Sequence, residues 1–267
     1  MKSTLNFALL QMDVQAGNPQ ENYLKVQSML QKAVSADPIP DVIVLPEMWN
    51  TGYALQSIHD TADQDGNETM LMLADFARKH RIYIHGGSVA VKKNGRIYNT
   101  SFGFDPEGLQ IMEYSKIHLF GLMDEPKYLD AGDKLGIFPF NGIQAGTIIC
   151  YDLRFPELTR SLAALGAQIL FVPAEWPNPR LHHWRTLLQA RAIENQMYVV
   201  AVNRMGQSDN TVFFGHSMVI DPWGEIIAEA DEQEQVLTAS ISLDKVQEAR
   251  SRIPVWQDRK PELYPNQ

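Results

Sequence analysis

The chain has 267 residues, 45% of them hydrophobic and 21% charged, with a formal net charge of −9. This composition is that of a soluble globular protein and excludes the disordered and collagen-like classes. The negative charge argues against nucleic acid or an anionic membrane surface as the main partner, because both are bound through basic patches.

The cysteine count, the lengths of the apolar runs and the lack of linkers predict the compartment and the number of domains. The single cysteine, Cys150, excludes an internal disulfide framework and favours a reducing compartment. No apolar run reaches the roughly 18 residues of a membrane span, and the N-terminal run is too short for a signal peptide. We therefore expect a cytoplasmic protein. Because no Pro-, Ser- or Gly-rich linker divides the chain, we expect one domain over residues 1–267.

The first half of the chain predicts strands alternating with helices. Asn18 can cap a helix that begins at Pro19, and Tyr23, Val26 and Leu30 then recur at helical spacing. The predicted elements are a strand from Leu5 to Met12, this helix, a strand from Val42 to Leu45, a helix from Asn67 to His80, a strand from Ile82 to Val91, a turn at Lys93-Asn94-Gly95, a strand from Tyr98 to Phe104 and a strand ending at Tyr114.

The second half resumes this alternation after an irregular polar loop from Gly121 to Lys134, which we expect to cover a site. The predicted elements are a strand ending at Ile149, a helix from Pro156, a strand from Ile169 to Val172, a helix from Arg180 to Gln196, strands from Tyr198 to Val202 and from Phe213 to Ile220, two further strands and a short helix near Val246. The proline-rich tail from about residue 254 is expected on the surface or against a neighbouring subunit.

Two short segments resemble each other across the halves. Val44-Leu45-Pro46-Glu47-Met48-Trp49 is similar to Phe171-Val172-Pro173-Ala174-Glu175-Trp176, and Phe104-Asp105-Pro106 is similar to Ile220-Asp221-Pro222. Chance similarity competes with a true repeat at this length. Together with the alternating elements, the pattern favours two sheets packed face to face with helices outside.

Cys150 lies where an apolar strand breaks into a polar turn before a helix. A thiol on such an elbow is held on a sharp turn, with the N–H groups of the turn near it, as a nucleophile would be. A lone cysteine is as often a small buried hydrophobic residue. The position alone leaves both interpretations open.

Two other polar residues follow predicted buried strands. Glu47 follows the strand that ends at Leu45, and Lys116 follows the strand that ends at Tyr114. Sites in α/β sheets collect beyond the carboxyl ends of strands, so these residues and Cys150 can converge. Taken singly, Glu47 and Lys116 are more simply a solvated loop acid and a surface cation.

Several other chemistries lack their local signatures. The chain has no G-x-G-x-x-G, no P-loop, no G-x-S-x-G and no H-E-x-x-H. We therefore predict neither a cofactor nor a metal. A generic cysteine hydrolase would need a histidine base, and no histidine lies in a segment that recommends it.

Three segments carry a specific family resemblance. Leu45-Pro46-Glu47, Tyr114-Ser115-Lys116-Ile117-His118-Leu119-Phe120 and Ile149-Cys150-Tyr151-Asp152-Leu153-Arg154-Phe155-Pro156-Glu157 resemble, in order and spacing, the signature blocks of the nitrilase (carbon–nitrogen hydrolase) superfamily. Further matches at Pro173-Ala174-Glu175-Trp176, Arg191-Ala192-Ile193-Glu194-Asn195 and Gly215-His216-Ser217 extend the resemblance over nearly the whole chain.

The resemblance implies a fold, an assembly and a set of catalytic residues. The fold is an α/β four-layer α-β-β-α sandwich, and the protein is a homodimer or larger homo-oligomer. The catalytic triad is Glu47, Lys116 and Cys150, with a second glutamate best matched by Glu125. For the tetrahedral oxygen we expect the backbone N–H of Tyr151 to join Lys116.

Within the superfamily the chain looks most like ω-amidases, above all bacterial ones associated with methionine salvage. This implies ω-monoamides of 2-oxo acids, such as 2-oxoglutaramate, as substrates and ammonia as the leaving group. N-carbamoyl amidases, aliphatic amidases and nitrilases of the same superfamily remain alternatives. A non-catalytic partner-binding protein on this fold is a remote one.

A keto-acid substrate brings a carboxylate, which needs a hydrogen-bond donor. Arg154 is the candidate, although an ion pair at the start of the helix explains it equally well. Trp49, Tyr53, His118 and Trp176 flank the signature blocks and are candidate pocket walls, and ordinary core packing competes for each of them.

Overall fold

The computed structural model describes residues 2–264, in which two mixed β-sheets pack against each other and β12 and β13 form a separate two-stranded sheet. The first sheet has eight strands in the order β16-β1-β2-β4-β6-β5-β3, with β7 paired to β6, and the second has six in the order β15-β14-β11-β10-β9-β8. The strands are β1 Thr4–Gln11, β2 Val42–Val44, β3 Asp63–Gln64, β4 Tyr83–His85, β5 Val89–Lys93, β6 Arg96–Phe104, β7 Gln110–Ser115, β8 Gly136–Phe140, β9 Ile143–Thr147, β10 Ala167–Ala174, β11 Tyr198–Asn203, β12 Met205–Ser208, β13 Thr211–Phe214, β14 Met218–Ile220, β15 Ile226–Glu229 and β16 Gln235–Ser242.

Helices cover the outer face of each sheet. The α-helices are α1 Pro19–Val34, α2 Ile58–Thr61, α3 Asn67–His80, α4 Glu125–Tyr128, α5 Pro156–Ala164, α6 Leu181–Asn195, α7 Asp244–Arg252 and α8 Val255–Asp258. Short 3₁₀ turns lie at Leu55–Ser57, Gly121–Met123, Cys150–Arg154 and Pro261–Leu263. Asn18 caps α1 by accepting a hydrogen bond from the backbone N–H of Glu21, as predicted, and Pro19 opens the helix.

The alternation of side chains along β1 explains the layers. Leu5, Phe7 and Leu9 point into the core between the sheets, where Phe7 lies 6.3 Å from Phe171 of β10. Ala8 and Leu10 point the other way, into the core beneath α1 and α3. A strand has a side-chain period of two, so one apolar strand serves both layers. The predicted α-β-β-α sandwich is confirmed.

The predicted strand from Ile82 to Val91 was wrong as a single element. It is interrupted at residues 86–88 between β4 and β5, both of which pair with β6. Gly87 has φ +61, and a Cβ there would lie 2.0 Å from the Pro46 carbonyl oxygen. Ser88, in this interruption, binds the loop after β2 through two hydrogen bonds. Its Oγ accepts a hydrogen bond from the backbone N–H of Met48, and its carbonyl oxygen accepts one from the backbone N–H of Trp49. The interruption holds the Glu47 loop in place.

The predicted strand from Phe213 to Ile220 was also wrong as one element. Gly215 and His216 both have positive φ, which ends β13 and starts β14 in a different sheet. Sequence reasoning also missed β8 and β12. It predicted a wholly irregular loop from Gly121 to Lys134, and the structure instead contains α4 there, which carries Glu125.

The C-terminal segment follows β16 of the first sheet and α7. Trp256 of α8 lies against the guanidinium groups of Arg160 and Arg250 at 5.1 and 5.6 Å. Residues 265–267 of the predicted tail lie outside the described residues. Within residues 2–264 no helix is both long and apolar enough to cross a bilayer.

Candidate active site

Three segments that follow strands meet at one edge of the sandwich. Glu47 follows β2, Lys116 follows β7, and Cys150 begins the 3₁₀ turn shortly after β9. Cys150 has φ +44 and Met48, next to Glu47, has φ +45. Non-glycine residues adopt this left-handed conformation at a cost, which the surrounding packing must offset. The positive φ values at Met48 and Cys150 mark a sharp turn of the chain at each position. These turns direct the side chains of Glu47 and Cys150 toward each other.

Glu47 is fully buried and accepts hydrogen bonds on both oxygens. Its Oε1 accepts from Lys116 Nζ at 2.9 Å and Asn99 Nδ2 at 2.8 Å, and Tyr53 Oη lies 3.1 Å from it. Its Oε2 accepts from the backbone N–H of Glu175 at 2.7 Å. A carboxylate is held in a defined orientation by this many donors, as a general base must be.

Lys116 bridges two buried carboxylates. Its Nζ lies 2.9 Å from Glu47 Oε1 and 2.7 Å from Glu125 Oε1, and none of the three side chains is exposed. Tyr53 also donates to Glu125, and Glu125 Oε2 accepts from the N–H of Phe120. Burial would lower the pKa of Lys116, but Glu125 and Glu47 together hold that pKa well above its ordinary value. Lys116 is therefore a cation.

Cys150 is buried next to this cluster. Burial raises the pKa of its thiol well above the ordinary value, the charge of Glu47 raises it further, and Lys116 opposes the rise. The direct interaction of Glu47 with the thiol favours the protonated thiol as well. The resting group is thus a neutral thiol beside a carboxylate, so the proton can pass to Glu47 during attack.

Asp152 holds the turn that carries Cys150. Its Oδ2 accepts from the N–H of Ile149 at 3.0 Å and from Tyr114 Oη at 2.7 Å. Its Oδ1 lies 2.8 Å from Nδ1 of His118, whose ring stacks on Phe155. The Lys116 segment and the Cys150 turn are therefore joined through a fully buried carboxylate.

A narrow cleft with a free volume of about 10 Å³ opens beside Cys150. Its lining combines aromatic and apolar side chains with three charged ones: Tyr53, Phe120, Met123, Cys150, Tyr151, Arg154, Glu175, Trp176, Pro177 and Arg180. The guanidinium of Arg154 lies 4.7 Å from the centre of the Trp176 ring. Within residues 2–264 neither Arg154 nor Arg180 forms an ion pair with a carboxylate. Two arginines without a carboxylate partner in the described part of the chain thus lie beside the cleft that Cys150 lines.

The structure brings most of the predicted site residues together, and two depart from expectation. Tyr53, Arg154 and Trp176 line the cleft with Tyr151. Trp49 does not, because its indole N–H donates to the Gly86 carbonyl and its ring packs on Tyr23 in the core. His118 does not line the cleft either, since its ring lies between Asp152 and Phe155.

Sequence reasoning missed Arg180 and Glu175. Arg180 precedes α6 and was seen only as part of that helix. Glu175 lies in the segment that resembles the Glu47 segment, and a carboxylate directly after a buried strand was the available signal. It is fully buried; its Oε2 accepts from Arg204 Nη1 at 3.2 Å, and its Oε1 has no hydrogen-bond partner within residues 2–264.

An α-β-β-α sandwich with a buried cysteine, lysine and paired glutamates at one edge defines a class of thiol-dependent hydrolases. A family model described as carbon-nitrogen hydrolase matches residues 6–251, and the chain therefore belongs to that family of enzymes.

Relatives cover essentially the whole chain. It is 46% identical to the 2-oxoglutaramate amidase of Bacillus subtilis, over 99% of this chain and 100% of that one, and 32% identical to the omega-amidase NIT2 of Mus musculus, over 98% and 97%. The crystal structure of Saccharomyces cerevisiae Nit3, a member of branch 10 of the nitrilase superfamily, superposes with a TM-score of 0.90 at 28% identity, over 99% and 98%. The predicted nitrilase-superfamily membership is confirmed.

Proposed function

We propose that this enzyme is an ω-amidase that hydrolyses small ω-monoamides of 2-oxo dicarboxylic acids, of the 2-oxoglutaramate type, to the dicarboxylic acid and ammonia. The observation that carries the proposal is the cleft that Cys150 lines together with two arginines, Arg154 and Arg180. The Arg154 guanidinium also lies 3.4 Å from His183 Nδ1 and over the Trp176 ring. The thiol supplies the nucleophile that attacks the amide carbon, and the guanidinium groups are suitable hydrogen-bond donors for the substrate carboxylate at the other end of the molecule. The similarity to the 2-oxoglutaramate amidase of Bacillus subtilis supports the same substrate class.

In the first half of the reaction Glu47 takes the thiol proton while Sγ of Cys150 attacks the amide carbon. The oxygen that becomes negative is stabilised by Lys116 Nζ and by the N–H of Tyr151, in the first turn after the nucleophile. One such donor is typically worth about 10²–10³ in rate. Glu47 then returns the proton to the nitrogen, the C–N bond breaks, and ammonia leaves a thioester on Cys150.

In the second half water hydrolyses the thioester. Glu47 takes a proton from the water as its oxygen attacks the thioester carbon, and the C–S bond breaks. The proton on Glu47 passes back to the sulfur, which restores the neutral thiol. Glu125 holds Lys116 on the side opposite Glu47, so the ammonium stays aimed between the two carboxylates. The enzyme ends unchanged, with Glu47 acting in both directions.

A substrate panel tests this proposal. Ammonia release is measured with 2-oxoglutaramate, simple amides, carbamoyl compounds and nitriles. We expect kcat/KM to be highest for 2-oxoglutaramate by at least about tenfold over a neutral amide, since a charged hydrogen bond contributes about 1.5–3 kcal/mol. Carbon dioxide release from a carbamoyl compound, or consumption of a nitrile, at a higher kcat/KM would instead assign the enzyme to another branch of the superfamily.

The cellular setting is part of the proposal. A catalytic thiol needs a reducing compartment, which supports a cytoplasmic enzyme, and an ω-amide of a 2-oxo acid fits a role in methionine salvage. Exposed apolar side chains outside the second sheet, Leu165 at 53% and Ile193 at 52%, support a homodimer or larger assembly, with the tail from about residue 254 on the neighbouring subunit. Sedimentation velocity of the full chain and of Ile193→Glu tests the assembly.

A further inference from the structure

We infer that Glu175 is a substrate-binding residue that accepts a hydrogen bond from the leaving amide nitrogen and so selects primary amides over esters. The inference deepens the proposed function and rests on it. Glu175 lines the cleft with Cys150, is fully buried, and has an Oε1 without a hydrogen-bond partner in the described part of the chain. A buried carboxyl oxygen without a donor costs free energy unless a ligand supplies one.

The position of Glu175 points to the nitrogen rather than to the oxygen of the amide. The oxygen is served by Lys116 and the N–H of Tyr151. The nitrogen must lie close to Glu47, which protonates it. Glu175 lies directly beside Glu47, since its own N–H donates to Glu47 Oε2 at 2.7 Å. A primary amide nitrogen carries two N–H donors, and Glu175 Oε1 is the acceptor left open next to it.

A second buried group fixes which oxygen of Glu175 faces the substrate. Arg204 Nη1 donates to Oε2 at 3.2 Å, while its Nη2 donates to Asp13 Oδ1 at 2.9 Å and to the Val14 carbonyl at 2.8 Å. The Arg204 guanidinium is thus anchored on the segment after β1 and binds Oε2 of Glu175. Oε1 of Glu175 remains available to the cleft.

This geometry makes Glu175→Gln an inversion of hydrogen-bond polarity. The amide oxygen of glutamine would take the place of Oε2 against Arg204, because two donors cannot face each other. The NH₂ group would then replace the acceptor Oε1 in the cleft. An NH₂ group opposes the amide nitrogen of the substrate but can donate to the alkoxy oxygen of an ester.

The test compares 2-oxoglutaramate with the 5-methyl ester of 2-oxoglutarate on the full-length enzyme. Above pH 8, where Glu175 is ionised, kcat/KM of Glu175→Gln for the amide should fall about 10- to 100-fold, the range for a hydrogen bond to a charged group, while the ester is unchanged or improved. Glu175→Asp keeps the acceptor but draws it back, so its amide-to-ester ratio should lie between the two. Asp63→Asn, a buried carboxylate bound to the N–H of Thr69 outside the cleft, is the matched control and should keep the wild-type ratio.

A pH profile gives a readout that a purely structural role would not move. Burial raises the pKa of Glu175 to about 8, and Arg204 opposes the rise. The other charged groups that face it are Glu47, which raises its pKa, and Lys116, which lowers it. Because a proton on Oε1 would turn the acceptor into a donor, kcat/KM for the amide should rise as pH increases toward about 8. This rise should be absent for the ester and in Glu175→Gln.

The outcomes separate the two proposals. If wild-type enzyme hydrolyses both compounds and Glu175→Gln loses both equally, Glu175 only supports the fold and the inference is overturned. The same holds if the amide-to-ester ratio stays unchanged. If wild-type enzyme hydrolyses the ester but not the amide, the ω-amidase proposal fails and the inference fails with it. Should Glu175→Gln not fold, the amide-to-ester ratio of Glu175→Asp decides alone.

Discussion

The backbone N–H of Glu175 donates to Oε2 of Glu47 at 2.7 Å. Glu47 follows β2 of the first sheet and Glu175 follows β10 of the second, so this hydrogen bond crosses the interface between the sheets. The two residues lie in the two segments that resemble each other in sequence. Glu47, the proposed general base, is consequently held from both halves of the sandwich, and any sliding of one sheet against the other would change its orientation.

The role of Cys150 is tested by Cys150→Ala. We expect turnover to fall by at least about 10⁴-fold, because the nucleophile is lost, while the protein stays folded. Ammonia release measures the first effect and urea unfolding the second. Intact-mass analysis after acid quenching should show an acyl adduct on wild-type enzyme and none on the variant. Undiminished ammonia release by Cys150→Ala would exclude the thioester mechanism.

The charge balance around Lys116 is tested by Lys116→Met. Glu47 and Glu125 would then be buried without their cation, and the free energy of unfolding should drop by about 3–5 kcal/mol. The double variant Lys116→Met/Glu125→Gln removes one of the two stranded charges and should regain part of that stability. It should not regain activity, because the cation that stabilises the tetrahedral oxygen is still absent.

Urea unfolding and ammonia release of both variants measure these effects. A single variant as stable as the wild type would mean that the two carboxylates are neutral without Lys116. A double variant that regained activity would remove Lys116 from the chemistry altogether.

The convergence of Glu47, Lys116 and Cys150 could be predicted because each follows a buried strand, whereas their catalytic roles were implied only by the family resemblance of the short blocks around them. Capping gave the start of α1 at Pro19, and the predicted helix from Asn67 to His80 matches α3, because these are local signals. The residue types at positions 47, 116 and 150 are read directly from the sequence. Only the two-sheet arrangement is needed to bring Glu47, Lys116 and Cys150 together.

What the sequence could not supply depends on contacts between distant segments. The break at Gly87 is set by the close approach of Pro46, which no local pattern reveals. Trp49 looked like a pocket wall because it lies two residues from Glu47, yet positive φ at Met48 turns the chain and sends the indole into the core. Glu175 and Arg180 needed the second sheet and α6 in place before either could be seen at the cleft.

Recognition of the substrate carboxylate is tested by Arg154→Leu and Arg180→Leu. Each should raise KM for 2-oxoglutaramate about tenfold or more, since a charge-assisted hydrogen bond is lost, with a smaller effect on kcat. Hydrolysis of butyramide, which has no carboxylate, should change little. Arg81→Leu, an exposed arginine paired with Glu107 outside the cleft, is the control. Equal losses on both substrates would assign the two arginines to the shape of the cleft rather than to charge recognition.

The protonation of Glu175 should also be visible in stability. Burial raises its pKa in the folded protein to about 8, whereas an unfolded glutamate titrates near 4.3. Between these values the folded chain binds one proton more than the unfolded chain, so the unfolding free energy falls as pH rises, by at most about 1.4 kcal/mol per pH unit. Glu175→Gln cannot titrate and should lack this contribution. The difference between the wild-type and variant free energies, measured by urea unfolding from acid to mildly alkaline pH, should therefore slope downward. A flat or rising difference for Glu175→Gln would mean that Arg204 outweighs burial and keeps Glu175 ionised throughout.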